Sequence, residues 1–219
     1  MTLALLFDID GTLMDTFDAI LDAMNLAIEG TGVAPLTREE LRPLIGMPVQ
    51  RQMSLLRGME GPEVDALTDR YYEHFLGIVS KGVKTYPGVK ETLAALQGRP
   101  IGTMTTRRKE GAKFMLRVAG LDSYFTAIIG GDQAPRPKPY PDLPRLGAEI
   151  LGVPPERCLV VGDAPVDILA GRAARMWTVA AIYGYGEPHS LREAKPHAEI
   201  AQFADLLRVV AELEARAER

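Results

Sequence analysis

Residues 4–13 read Ala4-Leu5-Leu6-Phe7-Asp8-Ile9-Asp10-Gly11-Thr12-Leu13. A short apolar run ends in two carboxylates one residue apart, followed by a glycine and a threonine. A run of this kind suits a strand buried on both faces of a parallel sheet. The C-terminal end of such a strand is where open α/β sheets build their ligand crevice. Two carboxylates placed there repel each other and call for a cation or shared protons. A divalent metal, with one carboxylate left free to react, meets that need. Two other readings of the same residues stand beside this one. Asp and Gly also make an ordinary polar turn after a strand. A calcium loop needs oxygen ligands at alternating positions and a flanking helix, whereas here an apolar run precedes and Leu13 stands where a further ligand is wanted.

Outward from this stretch, composition bounds the class. The chain has 219 residues, 47% hydrophobic and 25% charged, ordinary values for a globular protein and enough for one large domain or a domain with an insert. A net charge of −4 argues against nucleic acid as the main partner. Cys158 is the only cysteine, which excludes an intrachain disulfide, and its place at the start of an apolar run predicts buried packing. The first residues lead directly into the strand without a basic segment or cleavage site, and no apolar run approaches a membrane span. The expectation is a cytoplasmic enzyme with no membrane partner.

Helical spacing dominates residues 16–82. Phe17, Ile20, Leu21, Met24, Ala27 and Ile28 mark an amphipathic helix ending near Gly30 and Gly32. Thr37-Arg38-Glu39-Glu40 is a capping-box pattern, and residues 49–57 and 62–80 are again helical. The pattern changes at Tyr86-Pro87-Gly88, a turn signal. Strands are predicted at 101–105, 127–129, 158–161, 178–182 and 198–200, with helices at 89–97, 108–119, 142–151, 165–174 and 203–217. A proline-rich loop covers 134–141, and the Glu/Arg-rich tail at 211–219 reads as a solvated helix end. Alternating strands and helices imply an α/β fold, a doubly wound, Rossmann-like parallel sheet with helices on both faces. Residues 1–15 and 83–219 form its α/β core, and the all-helical block 16–82 is an insert after the first strand.

Three further polar signals fall at strand ends or just beyond. Thr105 and Thr106 close the strand at 101–105, Lys138 sits between prolines, and Gly162-Asp163-Ala164-Pro165-Val166-Asp167 closes the strand at 158–161. Each alone has a plain structural reading, as a turn or an exposed loop residue. Together, in the order Asp-x-Asp-Gly-Thr, strand-terminal Thr, Lys-Pro, Gly-Asp-x-x-x-Asp, they resemble the haloacid dehalogenase superfamily over nearly the whole chain, and the insert resembles the helical cap that its members carry.

The resemblance implies a phosphotransferase site. Asp8 is then the nucleophile that forms an aspartyl-phosphate. Mg²⁺ is held by Asp8, the backbone carbonyl of Asp10 and Asp163. Asp10 is the general acid and base, Thr105 binds a phosphoryl oxygen, Lys138 neutralises charge on Asp8 and the phosphoryl group, and Asp167 orients metal-bound water or Lys138. Thr106 is open between a substrate contact and a helix N-cap. The second aspartate favours phosphate esters over carbon–halogen bonds, and Ile20, where mutase relatives carry a histidine, counts against a mutase.

The segments Leu41–Gly46, Tyr86–Val89 and Ile182–Gly186 resemble the phosphoglycolate phosphatase branch. They imply a small phosphorylated metabolite, first of all 2-phosphoglycolate, with pyrophosphate or sugar phosphates as alternatives. A non-catalytic protein that binds a phosphorylated ligand is a different class, disfavoured because Asp8, Asp10, Lys138 and Asp163 are all present. Arg42 is a candidate for a substrate carboxylate, or a plain surface residue, and Arg51 is a weaker one. His74, His189 and His197 lack metal-ligand spacing. A monomer or a homodimer is expected.

Overall fold

The computed structural model describes residues 2–217. Five parallel strands form the central sheet: β1 (Ala4–Phe7), β4 (Ile101–Thr103), β5 (Cys158–Gly162), β6 (Trp177–Ala181) and β7 (Ala198–Ile200), in the spatial order β4-β1-β5-β6-β7. A two-residue antiparallel ribbon pairs β2 (Met14–Asp15) with β3 (Lys84–Thr85). Four helices lie between the two arms of that ribbon: α1 (Phe17–Ile28), α2 (Arg38–Leu41), α3 (Val49–Arg57) and α4 (Pro62–Val79). The later helices are α5 (Val89–Ala95), α6 (Lys109–Val118), α7 (Asp142–Leu151), α8 (Pro165–Ala173), α9 (Pro188–Glu193) and α10 (Leu206–Ala217). None of the described helices is long and apolar enough to cross a membrane.

Side chains of β1 alternate between two faces, as the pleat requires. Leu5 and Phe7 join Leu159, Val161, Val179 and Ala181 in the larger core. Ala4 and Leu6 join Cys158, Val160 and residues of α7 in the smaller one. Because both faces are covered, the strand is apolar throughout. The larger core runs without a break into the insert, where Phe17, Ile20 and Met24 of α1 meet Leu67, Tyr71 and Phe75 of α4.

The predicted strand at 127–129 is not one. Ala127 makes only an isolated bridge to Gly102. Beyond it, Ile129 exchanges both of its backbone bonds with the Thr103 hydroxyl, at 2.7 and 2.9 Å, instead of with the backbone. A side chain has taken over the ladder. Two further elements carried no readable pattern, the β2–β3 ribbon and the short helix α9. The capping box at Thr37 forms reciprocally with Glu40, but its helix lasts one turn before Pro43 turns it into a 3₁₀ segment. The tail is helical to Ala217; Met1 and the last two residues lie outside the described ones.

Candidate active site

From β1 the chain passes to β4 on one side and later to β5 on the other, so the strand order reverses at β1. That reversal opens a crevice at the carboxyl ends of the strands. Asp8 follows β1 directly, Thr105 comes two residues after β4, and Asp163 follows β5. Asp8 donates its amide to the Val161 carbonyl at 3.0 Å, and Met104 donates to Phe7 at 2.8 Å. The ladder therefore continues just past the strand ends and fixes the site backbone.

Lys138, fully buried, reaches this edge from the proline-rich loop. Its Nζ donates to Asp8 Oδ1 at 3.0 Å and to Asp167 Oδ1. The other Asp167 oxygen accepts from the Ala164 amide at 3.0 Å, so Asp167 caps α8 while holding the ammonium. Asp163 accepts from the Thr12 hydroxyl and the Tyr185 amide, both at 2.8 Å. Close approach is paid for in glycine: Gly11 has φ +78°, and a Cβ there would stand 2.1 Å from Asp163 Oδ2.

Burial pushes the Asp8 carboxyl up to about 7, with Lys138 pulling the other way and Asp167 and Asp10 adding to the rise. Burial likewise pushes Asp163 well above the usual carboxylate range, with Asp167 and Asp8 adding to it. Lys138 is penalised by burial, but Asp167 and Asp8 outweigh this and hold it charged. Three buried carboxylates thus face one ammonium. Oxygens of Asp8, Asp163 and Asp167 lie within 4.8 Å of one another. A set of hard oxygen donors short of positive charge fits a divalent cation such as Mg²⁺.

Asp10 faces elsewhere. Arg107 grips its carboxylate bidentately, Nε to Oδ2 at 2.5 Å and Nη2 to Oδ1 at 2.8 Å, and the Thr16 hydroxyl donates to Oδ1. With its carboxylate engaged in this way, Asp10 is not among the three carboxylates whose oxygens come together. Arg107 is itself buried, its guanidinium 3.6 Å from the centre of the Phe75 ring and Nη1 donating to the Tyr71 hydroxyl at 3.3 Å. Both aromatic residues belong to α4, so one arginine ties the strand-end acid to the insert. Its charged form is favoured by Asp10 against the cost of burial. The sequence reading passed over Arg107. The available signal was a cation two residues beyond a strand-end threonine, opposite an acid with no assigned partner.

Thr105 is fully buried, and its Oγ1 accepts from the Arg107 amide at 3.2 Å, which leaves its hydroxyl proton to give. Thr106 is no helix cap: α6 begins at Lys109 after Arg108. It lines a cavity of about 30 Å³ together with Asp10, Gly46, Gln52, Tyr71 and Arg107. A neighbouring cavity of about 260 Å³ shares Pro48, Val49, Tyr72 and Thr106 and opens past Arg108 and Arg136. Arg42 lies apart from these residues. It donates to the Gly184 carbonyl at 3.3 Å and lines another cavity with Asp15, Asp18 and Arg38. Arg51 is exposed. Cys158 is buried, its thiol directed at the Val153 and Pro154 carbonyls.

The sequence family described as haloacid dehalogenase-like hydrolase matches residues 5–181. A phosphoglycolate phosphatase of Nitrosococcus oceani is 30% identical over 92% of this chain and 93% of its own. One from Xylella fastidiosa is 34% identical over 82% of this chain and 80% of its own. A crystal structure of a predicted phosphoglycolate phosphatase from Haemophilus somnus superposes with a TM-score of 0.85 at 25% identity, covering 95% of this chain and 97% of the other. On the family match and these relatives, the chain belongs to the haloacid dehalogenase-like hydrolases.

Proposed function

We propose that this protein is a Mg²⁺-dependent phosphatase that hydrolyses a small phosphate monoester through a phosphoryl group carried on Asp8. One observation carries the reading: four buried charged side chains, Asp8, Lys138, Asp163 and Asp167, meet at the switch point of the sheet, while Asp10, two residues from Asp8, is held apart by Arg107 and Thr16.

Asp8 presents a carboxylate oxygen to phosphorus. Lys138 keeps that carboxylate oriented and offsets negative charge as the phosphoryl group approaches. Thr105 gives its hydroxyl proton to a phosphoryl oxygen. Asp8, Asp163 and the Asp10 carbonyl would hold Mg²⁺, which when bound supplies charge neutralisation at the phosphoryl oxygens. Asp167 holds Lys138 in place. Asp10 gives a proton to the leaving oxygen and then takes one from water. Arg107 fixes the direction in which Asp10 points, and Thr106 faces the leaving group.

The helical block 16–82 acts as a cap that closes over this edge, with residues 1–15 and 83–219 as the catalytic core. The substrate reading is 2-phosphoglycolate, supported by the names of the relatives. The protein works in the cytoplasm.

Phosphate release from 2-phosphoglycolate, pyrophosphate and hexose phosphates, with Mg²⁺ and with EDTA, tests this. A dominant Mg²⁺-dependent rate on 2-phosphoglycolate, lost by at least about a thousandfold in Asp8→Asn with the fold intact, is expected for removal of a covalent nucleophile. Near-normal turnover by Asp8→Asn removes Asp8 as nucleophile. A best rate on hexose phosphates removes the substrate assignment.

A further inference from the structure

Gln52 is buried in the insert, 5% exposed, in the first turns of α3. Its Nε2 donates to the carbonyls of Leu44 and Met47 at 3.2 and 3.0 Å. Those two acceptors fix the amide, because turning it over would press Oε1 against two carbonyl oxygens. Oε1 then has no donor. Among the described residues it is the one buried side-chain nitrogen or oxygen without a hydrogen-bond partner. A buried acceptor left so costs stability, and such a group in a folded protein calls for an explanation.

The place of Gln52 supplies one. It lines the same small cavity as Asp10, Thr106 and Arg107. At about 30 Å³ that space takes one or two oxygen-sized groups. An oxygen there within reach of Asp10 therefore has Gln52 as a close neighbour.

We propose that Gln52 Oε1 accepts one hydrogen of the water that hydrolyses the phosphorylated enzyme, and so makes the protein choose water over alcohols. The inference rests on the aspartyl-phosphate reading above. In the step, the water oxygen bonds to phosphorus and the bond from phosphorus to the Asp8 oxygen breaks, its electron pair returning to the Asp8 carboxylate. One water proton passes to Asp10. The other stays on the new phosphate hydroxyl and points at Gln52 throughout. An alcohol has a single O–H hydrogen. That hydrogen goes to Asp10, and carbon is left facing the Gln52 acceptor. Gln52 thus works in the second half-reaction and sets hydrolysis against phosphoryl transfer.

The test is partitioning. Acetyl phosphate serves as phosphoryl donor with Mg²⁺ in aqueous methanol, and ³¹P NMR gives the ratio of methyl phosphate to inorganic phosphate. The wild-type protein is expected to favour water by more than about tenfold per mole, the worth of one hydrogen bond in a dry site. Gln52→Met should raise the methyl phosphate share by about the same factor. Gln52→Glu, protonated in this buried place, keeps one hydroxyl donor toward the 44–47 loop and an acceptor oxygen toward the cavity, and it should stay near wild type. Equal shifts in the two variants assign Gln52 a purely structural part and overturn the inference. So does an unchanged ratio in Gln52→Met, or methyl phosphate formed by neither protein. If Gln52→Met does not fold, parity between water and methanol in the wild type overturns it equally. Asp8→Asn separates the levels: turnover in that variant brings down the covalent reading itself, whereas an Asp8-dependent ratio indifferent to Gln52 brings down this inference alone.

Discussion

The carboxyl edge of the sheet and the helical insert hold their polar groups in different ways. At the edge, Asp8, Thr105 and Asp163 leave a backbone held by or next to the strand ladder, and each carboxylate has at least one partner of opposite charge or a local donor. Chemistry there is preformed. In the insert, the polar groups that face the site, Gln52, Tyr71 and Tyr72, hang from helices packed on the core mainly through apolar contacts. Their placement depends on how α3 and α4 seat together. On the proposed reading the edge carries the reaction and the insert decides what reaches it. Substitutions in the two regions should therefore fail differently, at the edge through charge and in the insert through geometry.

The largest effect on stability is expected at Lys138. Lys138→Met leaves Asp8 and Asp167 facing each other in a buried site, and stranding buried charge typically costs about 3–5 kcal/mol. Asp8, already pushed up to about 7 by burial, can relieve the variant by taking a proton. Without Lys138 that carboxyl rises further, so the loss measured by urea unfolding of the metal-free variant should be largest at alkaline pH and shrink as the pH falls toward 7. A loss independent of pH would mean that the edge is held by packing, and the contrast with the insert would weaken.

Arg107 straddles the two regions and comes next. Arg107→Met keeps much of the stacking on Phe75 but leaves Asp10 buried with only Thr16, a loss of about 2–4 kcal/mol. Arg107→Lys retains charge but not the fork. If the arginine's main work is to aim Asp10, kcat should fall with little change in KM for both variants, and the lysine should recover only part of it. A rise in KM alone would make Arg107 a substrate contact.

How far all this was legible in the sequence follows the same division. Asp8, Asp10 and Asp163 were readable because a buried parallel strand advertises its own end: an apolar run stops and acids begin. Lys138 carried no local signal, since a lysine among prolines is an ordinary loop residue; only the order of motifs gave it meaning. Thr103 could not be seen to replace a ladder by its hydroxyl, so 127–129 read as a strand. The β2–β3 ribbon is too short for any period to show. Gln52 did leave a trace: Val49 and Met53 are the other buried residues of α3, and a glutamine on that buried face is a polar residue at an apolar position. Its meaning needed the cavity, which is tertiary.

A smaller effect separates the metal from the fold. The raised Asp8 and Asp163 groups bind protons more tightly folded than unfolded. The contribution of Asp8 is therefore present at acid pH and is lost as the pH climbs from about 4 to about 7, and that of Asp163 is lost in the same direction. Mg²⁺ should restore it, so its stabilisation should grow with pH. An increase of Tm on saturating Mg²⁺ that is larger at pH 7.5 than at 5.5 by about 2–4 °C corresponds to roughly 1 kcal/mol for a chain of this size. Equal shifts at both values would place the cation away from these two acids.

The smallest effect is expected at Arg42, and it tests the comparison most sharply, because sequence and structure point in different directions there. A guanidinium on the insert is well suited to a carboxylate, which is why it was a candidate. Yet its Nη2 rests on the Gly184 carbonyl, and the cavity it lines holds neither Asp8 nor Asp10. Exposed and singly bonded, Arg42→Ala should change stability by no more than about 0.5 kcal/mol. With 2-phosphoglycolate, KM should change by less than about threefold, under the roughly 1.4 kcal/mol that a tenfold change would need. Loss of a true bidentate contact to the substrate would instead raise KM tenfold or more at nearly constant kcat. That outcome would show that the 3₁₀ segment after α2 swings toward Asp10 when substrate binds, and that the insert recognises its ligand from a position different from the one it holds here.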